Sequence, residues 1–356
     1  MGVIHGEFEK LIPTSSTIDQ LLNSTIHQSI NNAINESNRD LSYISDNHDN
    51  CLDLTNFSPL FTDTSNSYKD IELLSNKIDL CIYTLMEYYI GTGTIDSASL
   101  FQNISPSDLN RFFSKILKNK SSSLKDITNR KSLMERIESG EYNRENYEEL
   151  LEKLMSDTSN NRDRTVSAAL FMTMLFPEML YFYGGGHEIH GIAPKGIDPK
   201  WGYDKKQTIG EHTGEYLPNS MDCSAFMSWC FKNANSSNKN VDNWTVNDYV
   251  NIGMNNSKVI DFDSEDVFSS IKPGDMTSNE NDDHIGMIVD VNYDSREIIV
   301  AHCSSSGGGM NLTKMKIQDD GTSVIIDDSC DRDPDTSKNN YFTKVLHLTY
   351  EGEKNE

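Results

Sequence analysis

The stretch that decides the fold is "NSMDCSAFMSWCFKNA", residues 219–234, in which Cys223 stands directly before an apolar run. Asp222 and Ser224 are small polar residues of the kind that cap the first turn of a helix, so the stretch predicts a helix that begins near Cys223. Cysteine is not a usual capping residue. It is either an ordinary buried thiol or a nucleophile at a helix N-terminus, where the pKa of a thiol falls.

Two histidines further along the chain favour the nucleophile. His284 opens the predicted strand "HIGMIVDVN", which follows the turn "KPGD", and His302 ends the next predicted strand, "REIIVAHCS". Adjacent antiparallel strands can place the two imidazoles side by side, with Gly286 leaving space on the same face. A lone buried cysteine or strand histidine is usually structural, but the joint order predicts a thiol nucleophile, a base and a group that orients the base.

Four segments then resemble one family. "YFYGGG", "MDCSAFMSW", "KPGD…HIGMIVDV" and "IIVAHC" are similar, in this order, to the NlpC family of papain-like cell-wall peptidases, over roughly residues 165–350. The resemblance implies hydrolysis of amide bonds in peptidoglycan stem peptides or cross-bridges, without metal or cofactor. It also implies a role for each of six residues: Cys223 as nucleophile, His284 as general base and acid, His302 as the group that orients His284, Tyr181 beside the thiol, and Asp222 and Ser224 at the amine end of the substrate.

The sequence departs from the family pattern in three places. Tyr183 stands where the family commonly has tryptophan, and Ala225 stands where it usually has glycine. One added methyl group at a crowded helix start is tolerable, so Ala225 does not predict an inactive site. The segment of residues 186–221 is longer than the family leads us to expect, and we expect it to shape one wall of the substrate groove.

The fold prediction is α+β with two domains. Apolar residues recur at helical spacing before residue 160, for example at Ile18, Leu22 and Ile26, and predict helices within residues 17–34, 68–91, 105–119, 123–139 and 143–156. A further helix is predicted over about residues 165–180, and the predicted strands all lie after residue 258. The polar stretch "SDTSNNRDR", residues 156–164, lies between these regions. We therefore predict a helical domain over residues 1–160 and a papain-like domain over residues 161–356, in which a helix layer packs on a mainly antiparallel sheet.

Composition excludes several partners. The chain has 356 residues, a net charge of −24 and a pI near 4.7, which disfavours binding to nucleic acid or to an anionic membrane surface. The N-terminus has no secretory signal pattern, and Pro177 and Glu178 interrupt the longest apolar run, so we predict no transmembrane segment. Six scattered cysteines without a C-x-x-C pair are more typical of free buried thiols than of disulfides.

Alternatives remain open at this stage. The motif "HEIH" provides His187 and His190, with His212 nearby, but a zinc site needs three or four ligands and no carboxylate or cysteine completes this set. A second hypothesis is a toxin or phage-type lysin whose helical first half binds a delivery partner and reaches the cell wall by a non-classical route, an apparatus or lysis. A third is a non-catalytic interaction protein with a degenerate peptidase fold.

Overall fold

The computed structural model describes residues 106–118, 143–156, 160–177, 179–187, 189–192, 206–208, 213–217, 220–264, 267–306, 308–329 and 341–353. Within these residues the helical elements are α1 (Pro106–Lys118), α2 (Arg144–Met155), α3 (Asn161–Leu175), α4 (Cys223–Ala234), a π-helical turn (Asp248–Ile252) and α5 (Val267–Ser270). The strands are β1 (Leu180–Tyr181), β2 (Ser220–Met221), β3 (Lys258–Asp261), β4 (Met276–Ser278), β5 (Ile285–Asn292), β6 (Glu297–Ser304), β7 (Gly309–Ile317), β8 (Ser323–Asp328) and β9 (Lys344–His347).

The nine strands form one sheet in the order β2-β1-β7-β6-β5-β4-β9-β3, and β8 pairs with β7. The short β1–β2 pair is parallel, and the other pairs are antiparallel. The described part of the chain therefore confirms the α+β prediction. Three long strands, β5, β6 and β7, form the centre of the sheet and carry both candidate histidines at or near their ends.

Both faces of the central strands are covered. Met287 lies opposite Ala301 across β5 and β6, and both belong to the apolar cluster that contains α3 and α4. Ile288 and Val300 belong to a second cluster on the other face, together with Phe342. Burial on both faces explains why the sequences of β5 and β6 are nearly continuous apolar runs.

Helix α4 is the central helix of the layer on the first face. Every residue from Cys223 to Phe231 is buried, which is expected of a helix with apolar residues all round. Its Trp229 ring stacks on Phe171 of α3 with ring centroids 6.3 Å apart. This packing fixes the position of the helix start, and thus of Cys223, against the sheet.

Helix α3 is displaced from its predicted span of about residues 165–180. It begins at Asn161, because the side chain of Asn160 caps it by accepting the N–H groups of Arg162 and Asp163 at 3.0 and 3.2 Å. It ends at Leu175, because Pro177 disfavours helical geometry at the residue before it. The second half of the polar stretch 156–164 is therefore helical and is not a linker.

Arg162, in the first turn of α3, links the helix layer to the turn "KPGD". Its guanidinium donates to Asp275 at 3.0 Å and to the carbonyl oxygen of Pro273 at 3.0 Å. The Asp275 carboxylate also accepts the backbone N–H groups of Lys272 and Leu348, at 3.0 and 3.1 Å. Asp275 is 1% exposed, so this turn is held by a buried ion pair with its hydrogen bonds satisfied.

Helices α1 and α2 precede the predicted boundary at residues 160/161 but pack into the same core as α3 and α4. Their buried apolar residues belong to the first cluster: Leu109, Phe112, Phe113, Ile116, Leu117, Tyr147, Leu150, Leu151 and Leu154. Helices α1 and α2 therefore share one core with α3 and α4 within the described residues. Separate folding of residues 1–160 stays a prediction, and the helices predicted within residues 17–34, 68–91 and 123–139 lie outside the described residues.

Two further expectations concern the described residues. None of their helices combines the length and the apolar character needed to cross a bilayer. Cys223, Cys230 and Cys303 are free and buried, whereas Cys51, Cys81 and Cys330 lie outside the described ranges.

Candidate active site

The first turn of α4 is built around Asp222. One carboxylate oxygen, Oδ1, accepts the backbone N–H of Ala225 at 2.8 Å and the hydroxyl of Ser224 at 2.9 Å. Asp222 has extended backbone geometry and the helix starts at the next residue, Cys223, which is 4% exposed. The structure therefore confirms that a capped helix begins at the candidate nucleophile.

The second oxygen of Asp222 holds the glycine-rich turn of "YFYGGG". Its Oδ2 accepts the N–H of Gly184 at 2.9 Å and lies 3.2 Å from Nε2 of His187. Gly186 has a φ of +81°, and a Cβ there would lie 2.4 Å from the Cβ of Met221, so only glycine allows this approach. The turn is thus fastened to the residues that directly precede Cys223.

The Cys223 thiol lies between opposing electrostatic influences. Burial raises its pKa, and the negative charge of Asp222 raises it further. Hydrogen bonds from backbone N–H groups, chiefly that of Ile285, act in the opposite direction. The net result is a raised pKa, so the thiol is protonated at neutral pH and needs a base to become a nucleophile.

The contact with Ile285 also locates the sulfur relative to the candidate base. Ile285 is the first residue of β5, and His284 directly precedes it. Side-chain alternation places His284 on the sheet face that Val300 shares, whereas Cys223 belongs to the cluster on the helix face. The contact with Ile285 therefore places the Cys223 sulfur at the start of β5, beside the residue that directly follows His284.

The two candidate histidines are directly hydrogen bonded. Nε2 of His284 lies 2.9 Å from Nδ1 of His302, and their ring centroids are 5.0 Å apart. Gly286 makes room for this pair, since a Cβ there would lie 2.5 Å from Cγ1 of Val300 and 3.1 Å from Cβ of His302. The predicted juxtaposition on adjacent antiparallel strands is observed, while the roles of the two histidines stay predictions.

A threonine and an aspartate extend this pair, and the sequence analysis missed both. Nε2 of His302 lies 2.7 Å from Oγ1 of Thr313, and that hydroxyl donates to Oδ2 of Asp328 at 3.0 Å. Thr313 is on β7, which the sequence analysis did not predict as a strand, and Asp328 ends β8. Without β7 in the predicted sheet, neither residue could be placed beside His302.

Aromatic rings cover the histidine pair. The His284 ring stacks on Phe342 with centroids 5.3 Å apart and planes at 17°, and Tyr341 meets it edge-on at 5.5 Å. The Tyr341 hydroxyl is 2.9 Å from that of Ser304. His302 is fully buried and His284 is partly exposed, so the aromatic rings restrict the orientation of the imidazole that can reach solvent or substrate.

The predicted substrate-binding residues lie in contrasting surroundings. Tyr181 is partly buried beside the thiol: burial raises the pKa of its phenol, and Cys223 and Asp222 raise it further. Asp222 and Ser224 are 6% and 4% exposed, and their side chains bond to each other within the helix cap. In the structure, these two residues stabilise the helix start, and Asp222 also binds the glycine-rich turn. Contact of either residue with substrate stays a prediction.

The zinc alternative gains no support from the described residues. Among them, no group of three or more His, Cys, Asp and Glu side chains is arranged to hold a metal ion. Instead, Nε2 of His187 bonds to Asp222, whereas His212 lies outside the described ranges. His187 reaches Asp222 because the glycine-rich turn brings the two residues together. Their spacing in the sequence does not predict this contact.

No protein-family model matches this chain, and no curated protein or solved structure is significantly similar to it. The chemistry of the site must therefore be argued from its own residues. They provide a protonated thiol at a helix start and an imidazole pair at the adjoining strand end. Such an arrangement can transfer a proton from sulfur to nitrogen and release a nucleophile.

Proposed function

We propose that the chain is a cysteine peptidase that hydrolyses amide bonds in peptidoglycan stem peptides or cross-bridges, within a papain-like domain. The observation that carries the proposal is the contact of the Cys223 thiol with the first residue of the strand that follows His284, together with the 2.9 Å bond between His284 and His302. A merely structural cysteine has no need of a histidine pair beside it whose first member, His284, is partly exposed.

The proposed reaction needs only side chains and backbone groups of this site. His284 takes the thiol proton as the sulfur of Cys223 attacks the amide carbonyl carbon, and the carbon–nitrogen bond then breaks as His284 protonates the leaving amine. Water next attacks the thioester and gives its proton back through His284, which releases a carboxylate and restores the thiol. The N–H groups at the start of α4 point toward the sulfur and are suited to stabilise the oxyanion.

The substrate class rests on the resemblance of four segments to the NlpC family. The structure adds that two of these segments contact each other: the glycine-rich turn after Tyr181 binds Asp222, the residue before the nucleophile. Tyr181 then forms part of the wall beside the thiol and is suited to orient a peptide backbone by hydrogen bonding. Delivery of the protein as a toxin or lysin stays a prediction about the first half of the chain, residues 1–160, of which residues 1–105 lie outside the described ranges.

A non-catalytic role is the competing proposal, and the burial of Cys223 is the observation that favours it. A thiol that is 4% exposed, with a raised pKa, has the properties of an inert core cysteine. The two proposals differ in what happens when the cysteine is removed. Loss of a core thiol changes stability alone, whereas loss of a nucleophile abolishes the reaction and leaves the fold intact.

The decisive experiment is digestion of purified peptidoglycan by the full-length protein, with mass spectrometry of the soluble products. Wild-type protein should release fragments with new amine and carboxylate ends, and Cys223→Ala should release none. Cys230→Ala is the matched control, because it removes the same group from the same helix at a fully buried position. It should retain hydrolysis wherever it remains folded.

Two results would contradict the proposal. The first is wild-type product formation by Cys223→Ala, which would exclude a covalent mechanism through that residue. The second is equal loss of hydrolysis in Cys223→Ala and in a Cys230→Ala protein whose circular dichroism matches that of the wild type. The thermal unfolding midpoint of each variant should be measured alongside, so that loss of folding is separated from loss of chemistry.

A further inference from the structure

Four polar side chains form a continuous hydrogen-bonded line across β5, β6, β7 and β8. The line runs from His284 to His302 at 2.9 Å, from His302 to Thr313 at 2.7 Å and from Thr313 to Asp328 at 3.0 Å. Its two central members, His302 and Thr313, are fully buried. Because each ring nitrogen of His302 has its own partner within this line, the position of one proton determines the others.

The proton order follows from the donor and acceptor capacity of each group. An ionised carboxylate only accepts, so the single hydroxyl proton of Thr313 is directed to Asp328, as the geometry shows. The oxygen of Thr313 then accepts from Nε2 of His302, which must carry a proton. The neutral imidazole of His302 therefore has its lone pair on Nδ1, and that lone pair accepts the Nε2 proton of His284.

We propose that Thr313 and Asp328 are positioning residues that set the tautomer of His284, so that its Nδ1 carries the lone pair that takes the thiol proton. This inference rests on the proposed role of His284 as the base. Nδ1 is then the basic nitrogen before the reaction begins. When it takes the proton from Cys223, no other proton in the line has to move, and the carboxylate of Asp328 favours the imidazolium that forms.

The reverse order is disfavoured by the same residues. If Thr313 donated to His302, its oxygen would have no proton left for Asp328, and two oxygen acceptors would face each other at 3.0 Å. His302 would then carry its proton on Nδ1 and donate to Nε2 of His284. That order leaves Nδ1 of His284 protonated and unable to act as a base, so it corresponds to an inactive tautomer.

Nitrogen-15 NMR of full-length protein with labelled histidine tests the inference without any substrate. The chemical shifts of the ring nitrogens distinguish the two neutral tautomers, and His284→Gln and His302→Gln assign the signals. At a pH where both rings are neutral, the wild type should show both histidines protonated at Nε2. A wild-type spectrum with His284 protonated at Nδ1 would overturn the proposal.

Two pairs of variants test the contribution of the outer residues. Thr313→Val removes the hydroxyl with little change of shape, whereas Thr313→Ser keeps it and should behave as the wild type. Asp328→Ala frees the Thr313 hydroxyl to donate to His302, and Asp327→Ala removes an equal charge from the neighbouring position. Thr313→Val and Asp328→Ala should shift His284 toward the Nδ1–H tautomer. Unchanged spectra in both variants would refute the proposal that Thr313 and Asp328 set the tautomer of His284.

The same variants give a second, independent measurement. General base catalysis contributes on the order of 10²- to 10⁴-fold to rate, so Thr313→Val and Asp328→Ala should lose at least about 10-fold in kcat, with recovery in Thr313→Ser. If Thr313→Val does not fold, the wild-type spectrum and the spectrum of Asp328→Ala still test whether the line sets the tautomer of His284. A wild-type protein with the expected tautomers but no hydrolysis of peptidoglycan would support the role of Thr313 and Asp328 in setting the tautomer and would contradict the proposed function.

Discussion

Removal of α1 and α2 should unfold the domain that carries the candidate site. The perturbation is a fragment of residues 160–356, compared with a fragment of residues 100–356 and with the full chain. Two contacts show how closely these helices bind α3 and the residue that follows it: the hydroxyl of Ser167 donates to Asn110, and the ring of Phe176 lies 4.9 Å from that of Tyr147. Cleavage of the chain at residue 160 removes both partners.

The size of the effect follows from the face of α3 that would become exposed. Leu170 and Met174 lie three and seven residues after Ser167 and so share its side of the helix. These two side chains and Phe176 are now 2%, 0% and 1% exposed. At about 1.5–3 kcal/mol for each buried apolar side chain, their exposure costs ~5–9 kcal/mol, which is comparable to the whole stability of a typical domain.

Urea unfolding followed by near-ultraviolet circular dichroism measures this effect, and the binding of a hydrophobic dye reports exposed apolar surface. We expect the fragment of residues 100–356 to unfold cooperatively near the midpoint of the full chain. The fragment of residues 160–356 should bind the dye and show no cooperative transition. A cooperative transition at the full-chain midpoint in the shorter fragment would refute the reasoning and support a boundary at residues 160/161.

Three further predictions concern the site and its supports. Because burial and Asp222 raise the pKa of the Cys223 thiol, its alkylation by iodoacetamide should accelerate steadily above pH 8, and a plateau near pH 6 would indicate a preformed thiolate instead. His284→Ala should lower kcat by about 10²- to 10⁴-fold. His302→Ala should lower kcat by less, since an orienting group is partly replaceable by water. Equal losses of kcat in the two variants would contradict the separate roles. Asp275→Ala should lower the urea-derived unfolding free energy by ~1–3 kcal/mol, because it removes one of two carboxylates that pair with Arg162 and the buried acceptor of two backbone N–H groups, and a loss below about 0.5 kcal/mol would contradict this.

The parts of the fold that follow local rules were predictable from the sequence. Asp222 is a strong capping residue before an apolar run, and the helix begins at Cys223. The apolar runs after His284 and before Cys303 predicted β5 and β6 to within a residue or two of their observed bounds. Because these two strands are consecutive and antiparallel, the contact between the two histidines also followed from the sequence.

Strand β7 could not be predicted because its apolar residues do not keep one alternation. Met310 and Leu312 belong to the cluster on the helix face, whereas Met315 and Ile317 belong to the cluster on the other face, so the apolar positions change phase within the strand. Thr313, at this change of phase, is a buried polar residue, and its type alone gives no indication of burial. Its contact with His302 depends on the whole sheet, which local periodicity does not determine.

The electrostatics of the nucleophile link these observations. A helix N-terminus was expected to lower the pKa of the thiol, but the capping residue is a carboxylate, and its charge acts on the sulfur in the opposite direction. Burial raises the pKa of the thiol most, and the same group that fixes the helix start and the glycine-rich turn raises it further. In the proposed reaction, reactivity then depends on how well His284 is held as a base, and therefore on the hydrogen-bonded line that ends at Asp328. In the proposed reaction, activation of the Cys223 thiol therefore depends on residues of the sheet, because the helix start with its Asp222 cap does not lower the pKa of the thiol.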